Sequence, residues 1–347
     1  MATTEVSPAA SESASPTGLQ RKVLSMPEVL AQSVANMAPS AAMALLPLFV
    51  FASAGNATWM SFGFGLVLMV VVAYCAAQFA KRVNSAGSFY VWVTRGLGPG
   101  MGHAAGWALV LGYVFTAVAT ILGFEIYGSQ FLTGIGVSPH NHFAHALLYI
   151  VGGLGPTLVA VLDIRISSTA AFILEGVSVT IILILCVAVW AHNGSVFDTA
   201  QVQLKGFKFG GMIAGMVLAI FAFVGFESAG ALGQEARDPA KSVSRSILWS
   251  CSIVGLFYVM VSYTQLYGFG GAAFGKAGAP LPELAGRVGL GFLSHFIAIG
   301  ITCSMFACTL ACLIAGSRML LSFAHDGIAP SALAGTSRRT KAPHVSI

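Results

Sequence analysis

Apolar residues dominate the chain in long runs, and short polar or basic segments separate them. A helix needs about 20 mostly apolar residues to cross the hydrocarbon core of a bilayer. Eight runs meet that length, at about 27–54, 59–80, 99–132, 143–162, 168–191, 210–235, 246–269 and 292–323. Between the second and third runs the chain carries Ser85-Ala86-Gly87-Ser88-Phe89-Tyr90 and then Gly96-Leu97-Gly98-Pro99. That stretch is too polar to span and reads as a short surface helix stopped by Gly and Pro. The first residues are rich in Ser, Ala, Thr and Pro and lack the basic start and apolar core of a signal peptide. Residues 1–23 therefore read as a disordered tail, and 24–347 as one transmembrane domain. Past the eighth run come Asp326-Gly327, a basic loop and Pro343-His344-Val345-Ser346-Ile347, where a further apolar run would begin. The expectation is a polypeptide that stops short of its full set of spans.

Composition sharpens this picture. The chain is 56% hydrophobic and only 8% charged, against about 25% charged in soluble domains. A soluble fold is excluded. The formal net charge is +5, but the basic residues lie in short loops, without the basic and aromatic stripe that nucleic acid requires. With the N-terminus inside, thirteen of the seventeen basic residues fall on the inner side. Only Lys205, Lys208, Lys276 and Arg287 fall outside. The positive-inside rule thus supports eight spans, a cytoplasmic N-terminus and residence in the cell membrane. All six cysteines sit in apolar runs with no metal-ligand spacing and read as small buried side chains. His140, His142 and His145 cluster in an outer loop and read as a polar loop rather than a metal site. No cofactor is called for.

Two runs are interrupted. The first contains Met37-Ala38-Pro39-Ser40-Ala41-Ala42. Pro39 has no backbone N–H and disfavours helix in the residue before it. The sixth contains Phe221-Ala222-Phe223-Val224-Gly225-Phe226-Glu227-Ser228-Ala229-Gly230, where Gly225 and Gly230 loosen the helix. Backbone groups freed at mid-membrane are tolerated only against protein or a water-filled cavity. The breaks lie five spans apart, an odd number, so a second five-helix repeat inserts upside down. Inverted repeats with broken helices are the mark of secondary transporters with a midplane site. Helix N-termini suit a substrate carboxylate, and freed carbonyls suit an ammonium group. Three carboxyl groups also lie in apolar runs: Glu125, Glu175 and Glu227. Intramembrane acids are expensive and mark ion or proton paths. Glu227, with Glu175, is the candidate for proton coupling. Glu125 lies near the outer end of its span and is expected to reach the interface.

These residues resemble the amino acid–polyamine–organocation permeases, from about Leu24 to Ile347. The likeness rests on Phe221 to Ala229, on Glu235-Ala236-Arg237-Asp238-Pro239, on Ser85 to Tyr90, on Gly98-Pro99 with Gly106-Trp107, and on Ser317-Arg318 with Asp326-Gly327 and Pro330. The resemblance implies an all-α, LeuT-like inverted-repeat bundle with discontinuous first and sixth helices. The first repeat would run over about 27–191, with an incomplete second over about 210–347. It implies transport of amino acids or related amines by alternating access, proton-coupled or by exchange. Backbone around Ser40, Ala41 and Ala42 would hold the substrate carboxylate. Backbone around Phe223, Val224 and Phe226 would hold its amine, and Pro39, Gly225 and Ser228 complete the substrate site. Phe221 would close over the substrate, and Tyr113 would line the pocket. The family's Gly-Ser-Gly break is Ser40-Ala41-Ala42 here, and Glu175 lies about one turn from a family lysine. Partners would be a small-molecule substrate and lipid. An intramembrane enzyme lacks support, since neither His-Glu-x-x-His nor Gly-x-Ser-x-Gly occurs. A non-transporting truncated membrane protein or sensor derived from such a permease is the main alternative, and an ion channel is the weakest, since no repeated filter sequence occurs.

Overall fold

The computed structural model describes residues 18–83, 85–162, 164–337 and 341–347. The expected tail up to residue 17 lies outside the described residues, as do Arg338 and Arg339. Among the described residues, seven helical stretches are long and apolar enough to cross a membrane: Met26–Ala80, Pro99–Gly134, His142–Val161, Ile164–Asn193, Phe209–Leu232, Pro239–Phe269 and Leu293–His325. The first is 55 residues long. At 1.5 Å per residue that is nearly three times the roughly 30 Å of hydrocarbon, so it is not one rod.

The stretch divides into α1 (Met26–Met37), α2 (Pro39–Ala54), a 3-10 turn at Gly55–Ala57 and α3 (Thr58–Ala80). A later helix, α9 (Phe209–Phe221), packs on both α2 and α3 and shows the reversal. Gly211 backs onto Ser53 and Gly215 onto Val50, so α9 opposes α2. Ser61 donates to the Met212 carbonyl at 3.0 Å, and Gly65 backs onto Ala219, so α9 runs with α3. Hence α2 and α3 run in opposite directions.

The remaining helices are α4 (Ser88–Leu97), α5 (Pro99–Gly134), α6 (His142–Val161), α7 (Ile164–Asn193), α8 (Thr199–Val202), α10 (Pro239–Phe269), α11 (Pro280–Arg287) and α12 (Leu293–His325). Helix α4 is the expected surface helix, stopped by Gly98 at φ +90°. No strand occurs among the described residues; a parallel bridge pairs Leu24 with Ala236. The seventh crossing starts at Pro239, well before its apolar run. The Asp238 side chain accepts from Lys241 N at 3.2 Å, and Pro239 takes the first helical position. A cap, not hydrophobicity, sets that start.

Helix α12 lies at the centre, against α1, α5, α6 and α7. Its small residues, among them Ser304, Ala307, Cys308, Ala311, Cys312 and Ala315, are buried and let neighbouring backbones come close. Thr309 and Thr120 of α5 share a hydrogen bond of 2.9 Å between hydroxyls across that contact. Large apolar side chains such as Phe64, Val67, Leu68 and Val71 of α3 point outward, as a lipid-facing surface demands.

The basic loops gather at one end of the bundle. There Arg165 donates to the Val23 carbonyl at 2.8 Å, Arg237 N to the Leu24 carbonyl at 2.9 Å, and Arg318 meets Glu235. Also at this end the Tyr90 hydroxyl donates to Asp326 at 2.6 Å. Burial of the ring and the adjacent carboxylate together push the Tyr90 hydroxyl above its usual range. Glu125 departs from expectation. It is 7% exposed rather than free at an interface. Tyr149 donates to it at 3.1 Å, and His145, in the first turn of α6, pairs with it.

Candidate functional site between two broken helices

Each break has a local cause. Helix α1 opens at Ser25, whose backbone and hydroxyl both bond the Glu28 carboxylate, and it ends at Ala38. Ala38 is left-handed, with φ +44° and ψ 61°. Pro39 then occupies the first position of α2, where its missing N–H costs nothing. The second break follows α9. The chain turns through 222–225, with Gly225 at φ +106°, and continues as a 3-10 segment, Phe226–Leu232. Only glycine holds that φ without strain.

The two broken helices run antiparallel with their breaks face to face. Leu24 N donates to the Glu235 carbonyl at 3.0 Å. Ser33 Oγ donates to the Phe226 carbonyl at 2.8 Å and accepts from Ala229 N at 3.0 Å. Ser228 Oγ donates to the Gln32 carbonyl at 3.3 Å. At Gly225 a Cβ atom would stand 2.7 Å from the Asn36 backbone carbon, so glycine is what lets the breaks touch.

Side chains from neighbouring helices meet the backbone groups the breaks set free. At the start of α2, Ser40 N donates to Glu175 Oε1 of α7 at 3.3 Å, and Ala41 N to Ser304 Oγ of α12 at 3.3 Å. The Tyr258 hydroxyl of α10 bonds the carbonyls of Met37 at 3.0 Å and Ala222 at 2.8 Å, one from each break. Gly225 N donates to Glu227 Oε2 at 3.1 Å, and the Tyr113 hydroxyl of α5 to Glu227 Oε1 at 3.0 Å. Glu227 and Glu175 are 4% and 2% exposed. The second Glu175 oxygen, Oε2, and the Ser40 hydroxyl lack a partner at hydrogen-bond geometry.

The profile of the amino acid permease family matches residues 28–347, which spans both breaks and every residue of this site. The chain belongs to the amino acid permease family. The chain is 29% identical over 286 residues to an uncharacterized transporter of Mycobacterium tuberculosis, covering 80% of this chain and 61% of the relative. It is 26% identical over 314 residues to the branched-chain amino acid permease BcaP of Bacillus subtilis, covering 85% and 65%. It is 26% identical over 307 residues to the vacuolar cationic amino acid transporter 4 of Arabidopsis thaliana, covering 83% and 50%. The chain thus spans between half and two thirds of the length of these curated relatives. With spans of this length and apolarity, it is an integral membrane protein.

The fold brings the site residues expected from the sequence together in two groups. Pro39, Ser40, Ala41 and Glu175 meet at the first break. Gly225, Glu227 and Tyr113 meet at the second, with Phe226 and Ser228 tied to α1. Ala42 is half-buried within α2. Phe223 is fully buried, with its ring centroid 5.3 Å from that of Tyr258. Val224 is 38% exposed and Phe221 60% exposed. Phe221 therefore stands apart from the other site residues. Sequence reasoning did not single out Tyr258, Ser304 or Ser33. Their only sequence signal is a polar atom inside an apolar run, and such runs hold many.

Proposed function

We propose that this permease is a secondary active transporter that moves amino acids or related amines by alternating access at the cell membrane. The observation that carries this reading is the pair of antiparallel broken helices whose breaks face each other, with backbone groups of Met37, Ser40, Ala41, Ala222 and Gly225 met by side chains. A helix left open at membrane depth stabilises nothing by itself, and a solute that takes the place of those side chains gives it a purpose. Relatives named as branched-chain amino acid permeases and cationic amino acid transporters support the substrate class. The basic end is proposed to face the cytoplasm, as the positive-inside rule requires. The proposed domain is 24–347, with the antiparallel broken helices as equivalent members of two inverted repeats.

The proposed substrate contacts are Pro39 to Ala42, Tyr113, Phe221, Phe223 to Phe226 and Ser228. Glu227 is proposed to carry the coupled proton, with Glu175 as a second carboxyl group at the facing break. Glu227 fits because it binds the Gly225 amide inside the second break and the Tyr113 hydroxyl from α5. Loading or removing a proton there alters both bonds. Uptake of labelled substrate into proteoliposomes is expected to rise as the external pH falls. Glu227→Gln keeps the shape and removes the titration, so its uptake profile is expected to be flat. A variant with the parent's pH profile rejects the coupling role.

A further inference from the structure

Pro39 has no N–H, so Ser40, Ala41 and Ala42 supply the first amides of α2, and these are the donors a solute carboxylate would use. All three are taken. Ser40 N is held by Glu175 Oε1 at 3.3 Å, Ala41 N by Ser304 Oγ at 3.3 Å, and Ala42 N by the Ala38 carbonyl at 2.8 Å. The seat for a negative group at the break is filled from within by a carboxyl group that is 2% exposed.

The two ends of the site differ in how readily a solute displaces what fills them. A solute carboxylate would bring a second negative charge against Glu175 and take its amide donor. That strands a buried charge, which is strongly unfavourable. At the other end the Met37 and Ala222 carbonyls are held by one neutral hydroxyl, that of Tyr258. An ammonium group replaces it with charge-assisted bonds, about twice as strong as neutral ones. A second observation points the same way. Glu175 Oε2 is a buried carboxyl oxygen beside the break without a hydrogen-bond partner. An ammonium group donates to it, and a solute carboxylate does not.

We infer that Glu175 serves as the built-in anion of the site, so that this permease selects amines without a neighbouring carboxylate over the matching α-amino acids. The inference rests on the transport reading above and names its substrate class. Glu175 is then a specificity-determining residue, and Ser40 and Ser304 hold its seat in shape.

The test titrates the purified full chain, in lipid nanodiscs, with matched pairs: cadaverine and lysine, 3-methylbutylamine and leucine, phenethylamine and phenylalanine. Calorimetry reads each affinity. For at least one pair the amine is expected to bind about tenfold or more tightly than its amino acid, about 1.4 kcal/mol. In Glu175→Gln, which keeps size and loses charge, the gap is expected to shrink to about threefold or less as the amine weakens and the amino acid is admitted. Amino acids that bind as tightly as their amines in the parent overturn the inference and leave the transport reading standing. An unchanged preference in a folded Glu175→Gln variant overturns it as well. If no member of any pair binds, the transport reading falls and takes the inference with it. Should the variant fail to fold, the ratio in the unaltered chain decides alone.

Discussion

Arg318→Ala is expected to cost about 3–5 kcal/mol of stability, because it leaves the Glu235 carboxylate buried and unpaired. The guanidinium grips Glu235 with two bonds, Nε to Oε2 at 2.6 Å and Nη2 to Oε1 at 2.9 Å, and it also holds the Ile314 carbonyl at 3.0 Å. Both side chains are 2% exposed. The Glu235 carbonyl in turn accepts from Val23 N and Leu24 N. One ion pair thus ties α12, the chain beyond the second break and the segment before α1 together at the basic end. Chemical unfolding in detergent micelles measures the loss. Removing both charges with Glu235→Gln and Arg318→Met is expected to recover most of it, since neutral replacements of similar volume are tolerated at such sites. A single-variant cost under about 1 kcal/mol would show that the pair does not hold this end.

Gly225→Ala is the second large effect, expected to cost about 3 kcal/mol or more. Two strains add. The residue sits at φ +106°, where an L side chain costs about 1–3 kcal/mol. The new Cβ would also stand 2.7 Å from the backbone carbon and 2.8 Å from the carbonyl oxygen of Asn36. Overpacking of this kind typically costs about 1–3 kcal/mol, and a backbone neighbour has little room to yield. The same unfolding measurement checks it. Gly63→Ala in α3 is the control, with nothing within 4 Å of its Cβ and an ordinary helical φ; it is expected to be neutral or to stabilise by up to about 1 kcal/mol. Equal effects at the two glycines would mean that the breaks do not depend on close contact.

Much of this architecture was legible in the sequence because lipid simplifies the problem. Apolar run length locates the crossings, and Pro39 and Gly225 punctuate helices wherever they occur. The odd spacing of the breaks already implied opposed directions, and the pairings of Leu24 with Glu235, Ser33 with Phe226 and Asn36 with Gly225, in opposite order along the two segments, agree with that. Three things were not legible. Pairings across the fold, such as Glu235 with Arg318 or Tyr258 with two carbonyls, join residues that no local pattern connects. Side-chain direction at a break was lost as well. Residues two apart on a helical turn point to opposite sides, so Phe221 and Phe223 do not line one site: Phe221 is exposed and Phe223 buried. Helix starts set by a cap, as at Asp238, lie outside the apolar run that marks the span.

Amide hydrogen exchange on the purified chain, with and without an equimolar panel of amino acids and amines, addresses most directly whether a solute sits between the broken helices. Added solute is expected to slow exchange in peptides covering 37–42 and 222–228 and to leave the rest of the bundle largely unchanged. Protection confined to other segments, with both breaks unaffected, would place the solute elsewhere and contradict a site built on these freed backbone groups.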